Sequence, residues 1–305
     1  MPLLGTFFYP WYGGSSRGWK HWKNQRHDPP KTWTSNFLPD LPLIPSHSGS
    51  SLEDKLYDSS DARVMIWQLG LMKRAKLDFA ISSWWGQKEF SDDVFRSLLL
   101  DVSKRGGNPS PALKWCLYYE KEGYSNPSEA EIIADLDYIV REYGGDSRYL
   151  KIDKKPVVFV YSNSENQLGY VEKWGNVRRK FGDVYLVLKI VQGYRSVSNV
   201  VDSWHQYAPA NRFAVQAPYW AFVSPGFWKY DEAPKLGRDL EAFKDAVRQM
   251  KSTNVQFWLV QTWNEYHEGT MLEPASEVIH DDRNPPFKIS SSGSYGTLFI
   301  DALAQ

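Results

Sequence analysis

Cysteine is almost missing: Cys116 stands alone in 305 residues, so the chain has neither an intrachain disulfide nor a cysteine-built metal centre. Net charge is missing as well, because 36 Lys and Arg offset 36 Asp and Glu. Domains that bind nucleic acid carry a clustered basic excess, so no nucleic-acid partner is expected. No apolar run is long enough to cross a bilayer as a helix, so no transmembrane segment is expected. The N-terminus shows no basic leader with an apolar stretch behind it. As written, the sequence reads as cytoplasmic; with a leader already removed it would be secreted or periplasmic. There is no internal repeat, no low-complexity linker, no cofactor-binding motif and hence no expected cofactor. Oligomeric state is left open.

Aromatic residues, by contrast, are abundant. The chain holds 14 Trp, 18 Tyr and 15 Phe, 15% of the total, and many stand beside Gly, Pro, His, Asn and Glu. Flat rings with polar edges suit both a large core and a surface for hydroxyl-bearing ligands such as sugars.

Short apolar runs recur along the chain at Leu4–Tyr9, Phe79–Trp84, Lys114–Tyr119, Pro156–Tyr161, Val184–Ile190, Ser203–Tyr207, Phe213–Tyr219 and Val255–Thr262. Helical patterns fall between them, at Asp61–Lys76, Ser91–Ser103, Pro127–Tyr143 and Leu240–Met250, with a closing helix over Ser294–Leu303. The clearest is Pro127–Tyr143, where Ser128 is a good N-cap and Ile132, Leu136 and Ile139-Val140 form the apolar stripe. Eight buried-type strands alternating with helices predict a single α/β domain, a closed (β/α)8 TIM barrel with elongated βα loops. An open doubly wound sheet is the runner-up. It lacks a G-x-G-x-x-G turn after the first strand, where Gly13-Gly14-Ser15 stands instead. The long segments Gly13–Ser60 and Pro209–Lys235 are read as functional loops.

A barrel gathers its active-site residues at the C-terminal ends of the strands. The densest polar cluster follows the last strand: Trp263-Asn264-Glu265-Tyr266-His267-Glu268-Gly269-Thr270. Glu265 and Glu268 form a candidate acid/base pair, since closeness raises the pKa of one and leaves the other ionised. A metal reading of Glu265, His267 and Glu268 has no His-x-x-x-His or Asp-x-Asp spacing behind it, so no metal is assigned. Other strand ends supply Tyr9 and Tyr12 with His21 and Trp22, then Trp84 and Trp85, then Tyr119 and Glu120. His205, and the pair Tyr219 and Trp220, complete the set. Together with Trp263, Asn264 and His267 they describe an aromatic cleft for an oligosaccharide or polysaccharide.

The Phe8–Gly13 run, Trp19-x-His21-Trp22, Ser83-Trp84-Trp85-Gly86 and the Trp263–Thr270 cluster, continued by Glu273-Pro274, resemble glycoside hydrolase family 99. That is the endo-α-mannosidase and endo-α-1,2-mannanase family. The resemblance implies a retaining, endo-acting hydrolase of α-mannosides. Glu265 would act as base on the sugar 2-hydroxyl, whose oxygen displaces the leaving group to give a 1,2-anhydro sugar. Glu268 would protonate the leaving oxygen and later activate water. By the same resemblance Tyr9, His21 and Trp22 line subsites near the cleaved bond, and Glu120 holds the base and the sugar. Trp85 or Trp84 is the indole platform, and Tyr219 is placed near the reacting centre by position. The chain departs from the family pattern in its shorter length, in Tyr266 where Trp is common, and in Met271-Leu272 after Thr270. A hydrolase or transglycosylase for another glycan, or a non-catalytic glycan-binding barrel, are the alternative functions.

Overall fold

The computed structural model describes residues 1–22, 40–42, 56–102, 108–163, 167–227, 235–278 and 296–305. Much of the predicted Gly13–Ser60 loop, 228–234 of the second long loop, and Ser294 of the closing helix lie outside these residues.

Nine strands build the main sheet: β1 (Leu3–Phe8), β2 (Phe79–Trp84), β3 (Lys114–Tyr119), β4 (Lys155–Val160), β5 (Tyr185–Lys189), β6 (Ser203–His205), β7 (Phe213–Gln216), β8 (Trp220–Val223) and β9 (Phe257–Val260). Their order is β6-β5-β4-β3-β2-β1-β9-β8-β7, parallel throughout except for β7, which runs antiparallel to β8. The strands are Val/Ile/Leu/Phe-rich without polar alternation because both faces are covered, one by helices and one by the interior of the curl.

The closed eight-stranded barrel expected from the sequence is not what forms. The sheet is an open, curled half-barrel that turns through 286° and leaves its edges 8 Å apart. The physical reason lies in the seventh strand. The sequence reads Phe213–Tyr219 as a parallel barrel strand, but the strand that forms is Phe213–Gln216, and only residues 206–212 separate it from β6. That is too short for the crossover that parallel neighbours need. The segment instead folds back as a hairpin on Trp220–Val223, with Phe213 opposite Val223 and Gln216 opposite Trp220. It is Trp220–Val223 that pairs in parallel with β9. Two glutamines flanking β9 reach over to β6 and the turn beyond it. Gln256 Oε1 accepts from Ser203 Oγ, while the Gln261 amide donates to Gln206 O and accepts from Ala208 N.

Side chains fill the curl in layers. Phe79 and Phe257, which begin β2 and β9, pack ring to ring with Phe159 near the end of β4, with centroids 5.4–6.2 Å apart. Gly5 makes room for them, since a Cβ there would meet the Phe79 ring at 2.3 Å. Phe7 stands in the next layer, 5.0 Å from Tyr118 and 5.3 Å from Tyr207. Such a buried aromatic contributes about 1.5–3 kcal/mol through area removed from water.

Outside the sheet lie α1 (Ala62–Arg74), α2 (Phe90–Arg96), α3 (Lys121–Tyr124), α4 (Glu129–Glu142), α5 (Gln167–Lys180), α6 (Leu240–Lys251) and α7 (Leu298–Ala304). Helix α4 starts in a capping box: Ser128 Oγ accepts from Glu131 N while the Glu131 carboxylate accepts from Ser128 N. Helix α5 was not anticipated, because Gly169 and Gly175 interrupt the stripe formed by Tyr170, Val171, Trp174 and Val177. In α1 the buried face includes Gln68, a polar residue among Val64, Met65, Leu69 and Met72. Among the described residues no helix is long and apolar enough to cross a membrane.

Candidate active site

Parallel strands carry their C-terminal ends to one rim, and there the chain leaves β9 through Thr262 into the Trp263–Thr270 turn. That turn is pinned from several sides. Thr262 Oγ1 accepts from Glu265 N at 3.0 Å and shares a hydrogen bond with Thr270 Oγ1 at 2.9 Å. Buried Asn264 grips the end of β1: its Oδ1 accepts from Tyr9 N at 2.8 Å and its Nδ2 donates to Tyr9 O at 2.9 Å. Tyr12 OH donates to Asn264 O and accepts from Tyr266 N. Trp22 stacks on Tyr12 with centroids 4.0 Å apart and donates its indole N–H to Tyr57 O. Tyr12, Trp22, Trp263 and Asn264 are thus buried behind the rim as support, not in the cleft wall.

A small cavity of about 60 Å³ opens in front of this support, lined by Tyr9, Trp11, Tyr118, Glu120, Tyr124, Tyr161, Tyr207, Glu265 and Glu268. Glu265 is only 5% exposed and its Oε1 accepts from His267 N. Glu268 is half-buried, and its Oε2 accepts from Tyr207 OH at 2.8 Å. Tyr9 and Tyr207 share a hydrogen bond between their hydroxyls. Burial pushes the Tyr9 phenol well above its usual range, and the nearby Glu120, Glu265 and Glu268 push it further. It therefore stays a neutral hydroxyl.

Glu120 is the third carboxyl. Burial raises it to about 8, opposed by a hydrogen bond from Ser83 and by Lys189, and reinforced by Glu268. At neutral pH it is mostly protonated, a hydrogen-bond donor beside two other carboxyl groups. The Ser83 hydroxyl in turn accepts from the Trp85 indole N–H at 3.1 Å, so Trp85 and Glu120 are joined through one side chain.

A second cavity of about 300 Å³ shares the Trp11 wall and is lined also by Lys20, His21, Trp85, Glu89, Phe90 and Ser91. Trp11 stacks on His21 at 4.4 Å with the planes 13° apart. Gly86 follows Trp85 at φ 137°, a backbone conformation only glycine adopts easily, which turns the chain sharply behind the indole. His21 holds a left-handed φ of 60°, unusual for a non-glycine residue, and its carbonyl meets the His267 ring nitrogen. Burial, with His267 and Lys20 nearby, lowers the His21 imidazole to about 3, so it is neutral at ordinary pH.

The remaining expected residues fall elsewhere. Strand alternation turns Trp84 and Tyr119 outward, under the helices. Trp84 donates to Asp92 at 2.7 Å and Tyr119 to Asp135 at 2.8 Å. His205 points inward below the cavity, 3.1 Å from Tyr118 OH, and burial lowers it to about 3. Tyr219 and Trp220 sit at the start of β8, in register with Phe257 and hence at the opposite rim, away from the carboxylates. Tyr207 is the phenol that stands beside Glu268 instead.

Trp11, Tyr118, Tyr124, Tyr161 and Tyr207 were not among the expected site residues. The signal was present for two of them: Tyr118 precedes Glu120 by two positions and Tyr207 follows His205 by two, so each shares its strand's inward face. Among the described residues no group of three or more His, Cys, Asp or Glu is placed to hold a metal ion.

These groups set a sign for stability against pH. Glu120 at about 8 and Glu273 at about 7 are raised from an unfolded value of 4.5, so folding favours their protonated forms and loses stability as pH rises toward those values. His21 and His205 are lowered from 6.5, and they weaken the fold only as pH falls below that value. Between about pH 6.5 and 8 the carboxyl effect therefore acts without opposition from these histidines. Urea denaturation midpoints should fall from pH 6.5 to pH 8, with a shallower fall in Glu120→Gln; a midpoint that rises would contradict this picture.

Paired carboxyl groups in a narrow, aromatic-walled row of cavities are the equipment of a glycoside hydrolase. The profile of Glycosyl hydrolase family 99 matches residues 2–227, and this chain belongs to that family. The match ends before the Trp263–Thr270 turn. A human glycoprotein endo-alpha-1,2-mannosidase-like protein is 18% identical over 336 aligned positions, which span 89% of this chain and 68% of that protein. Two solved structures of the GH99 endo-alpha-mannosidase from Bacteroides thetaiotaomicron share the fold. One, in complex with BIS-TRIS-Propane, superposes with a TM-score of 0.72 at 16% identity, covering 99% of this chain and 95% of the other. The second superposes with a TM-score of 0.69 at 18% identity and the same coverage.

Proposed function

We propose that this glycoside hydrolase is a retaining, endo-acting enzyme for α-mannosidic linkages. Its intermediate is a 1,2-anhydro sugar. Glu265 takes the proton from the 2-hydroxyl of the sugar whose anomeric carbon carries the bond to be cleaved. The 2-oxygen bonds to the anomeric carbon as the bond to the leaving oxygen breaks, and Glu268 gives that oxygen a proton. Water then enters, deprotonated by Glu268. It bonds to the anomeric carbon, the epoxide opens, and Glu265 returns the proton to the 2-oxygen. Two inversions give net retention. α-Mannose presents the 2-hydroxyl anti to the leaving group, as the first step requires.

The observation that carries this reading is that one cavity holds both glutamates in unlike settings. Glu265 is buried at the floor on a pinned turn, and Glu268 is half-buried and held by a phenol. Protonated Glu120 supplies a donor beside them. Trp85 and the stacked Trp11–His21 pair form the wall for the sugars on the non-reducing side.

Matched α-linked mannobiosides with and without the donor sugar's 2-hydroxyl test the route. The 2-deoxy compound should give no product above background while the parent is cleaved with retention. Comparable cleavage of the two would mean that a carboxylate attacks the anomeric carbon directly, and the proposal would fall.

A further inference from the structure

The largest of the three cavities along this rim, about 690 Å³, shares Tyr207 with the catalytic cavity. Its other walls include Lys189, Gln192, Tyr194, Arg195 and Gln206, and among the described residues no carboxylate lines it. Tyr207 is the partner of Glu268, so the space beyond it lies on the side of the acid that protonates the leaving oxygen. On the proposed mechanism, that is where the reducing-side portion of the glycan rests.

Its electrostatics differ from those of the neighbouring cavities. Lys189 is half-buried at the inner end. Its ammonium donates to Ser162 O at 3.0 Å and lies 4.6 Å from the Tyr161 ring centroid. Burial lowers its pKa, and Glu120 and Glu268 partly restore it. Arg195 is exposed and, among the described residues, donates to the neutral Gln216 side chain at 3.2 Å. Balancing the catalytic carboxyls accounts for Lys189, but not for Arg195, which is not among the groups acting on Glu120. Two cations along one wall favour an anionic ligand over a neutral one. A guanidinium matches the forked geometry of a phosphate or carboxylate.

We propose that this cavity is a leaving-group subsite for an anionic saccharide, one whose reducing-side sugar carries a phosphate monoester or a carboxylate. The proposal rests on the reading of Glu268 as the acid given above. It adds a substrate preference to that reading.

The test compares three α-mannosides whose reducing-side residue is mannose, mannose 6-phosphate or glucuronic acid. At low ionic strength, kcat/KM for one or both anionic substrates should exceed the neutral one about tenfold, and about 0.5 M NaCl should shrink the gap, because exposed charges are screened. Arg195→Ala should lose most of the preference, and Arg195→Glu should reverse it. Equal or poorer use of both anionic substrates by the wild-type enzyme overturns the proposal. So does a preference that survives unchanged in both Arg195→Glu and Lys189→Met. If no substrate is cleaved, the proposed reaction fails separately, and the subsite is judged by calorimetry. Tighter binding of methyl α-mannoside 6-phosphate than of methyl α-mannoside, abolished by Arg195→Glu, supports it; equal binding of the two overturns it.

Discussion

Glu265→Gln should leave a folded protein that turns over no mannoside, activated aryl glycosides included, with kcat down at least about 10²–10⁴-fold. The amide still fits the turn and can accept from His267 N, as the carboxylate does at 3.0 Å, so the loss is chemical and not structural. A good leaving group does not help, because the missing step is removal of the 2-hydroxyl proton. Glu268→Gln differs in kind. Its loss should be severe for sugar leaving groups and milder for nitrophenol, which leaves without a proton. Comparing the two variants on one aryl substrate and one disaccharide separates base from acid. Full aryl activity in Glu265→Gln would remove that residue from the reaction.

Glu273→Ala should be the most destabilising single change near the site, by on the order of 3–5 kcal/mol. Glu273 is 1% exposed and accepts from Gln68 Nε2 at 2.9 Å, Tyr57 OH at 3.0 Å and Tyr266 OH at 3.1 Å. Burial raises its pKa to about 7, with those three donors and Trp263 opposing the rise. Alanine strands several buried donors at once and leaves a void among them. The damage should spread to function, because Tyr57 OH also accepts from Asn264 Nδ2, and Asn264 ties the turn bearing Glu265 to Tyr9. Urea denaturation of the purified variant reads the first effect, and a fall in kcat larger than any change in KM reads the second. An unchanged denaturation midpoint would show the network to be dispensable.

How much of this was legible beforehand depends on the range of the interaction involved. The capping box at Ser128 and Glu131 is local chemistry three residues apart, and the sequence pointed to Ser128 as the cap. The polar cluster after β9 was visible for the same reason: a buried strand delivers it to one rim. The hairpin was not. Phe213–Gln216 and Trp220–Val223 both read as short apolar runs, and the choice of parallel partner rests on pairing with β9, which hydropathy does not encode. That one exchange moved Tyr219 and Trp220 to the far rim and opened the sheet. Within strands, the error was of parity. Tyr119 looked as suitable as Tyr118, yet only the odd-or-even register against Glu120 separates a cleft residue from one under a helix. The contact between Gln68 and Glu273, which meet across 205 positions, left no trace in the local pattern, although Glu273 itself stands in the motif after β9.

The unclosed sheet has a mechanical meaning. Around most of the perimeter, any increase in girth must separate paired backbone groups. At the opening, no ladder joins the edges, and the glutamine amides that span it can follow a displacement by rotating. Compliance is therefore concentrated along a single meridian. Gln206 and Ala208, the residues on either side of Tyr207, are fastened by one Gln261 side chain, so the phenol that holds Glu268 is mounted on the softest part of the wall. The turn that carries Glu265, by contrast, is anchored to β1 through Asn264 and Tyr9.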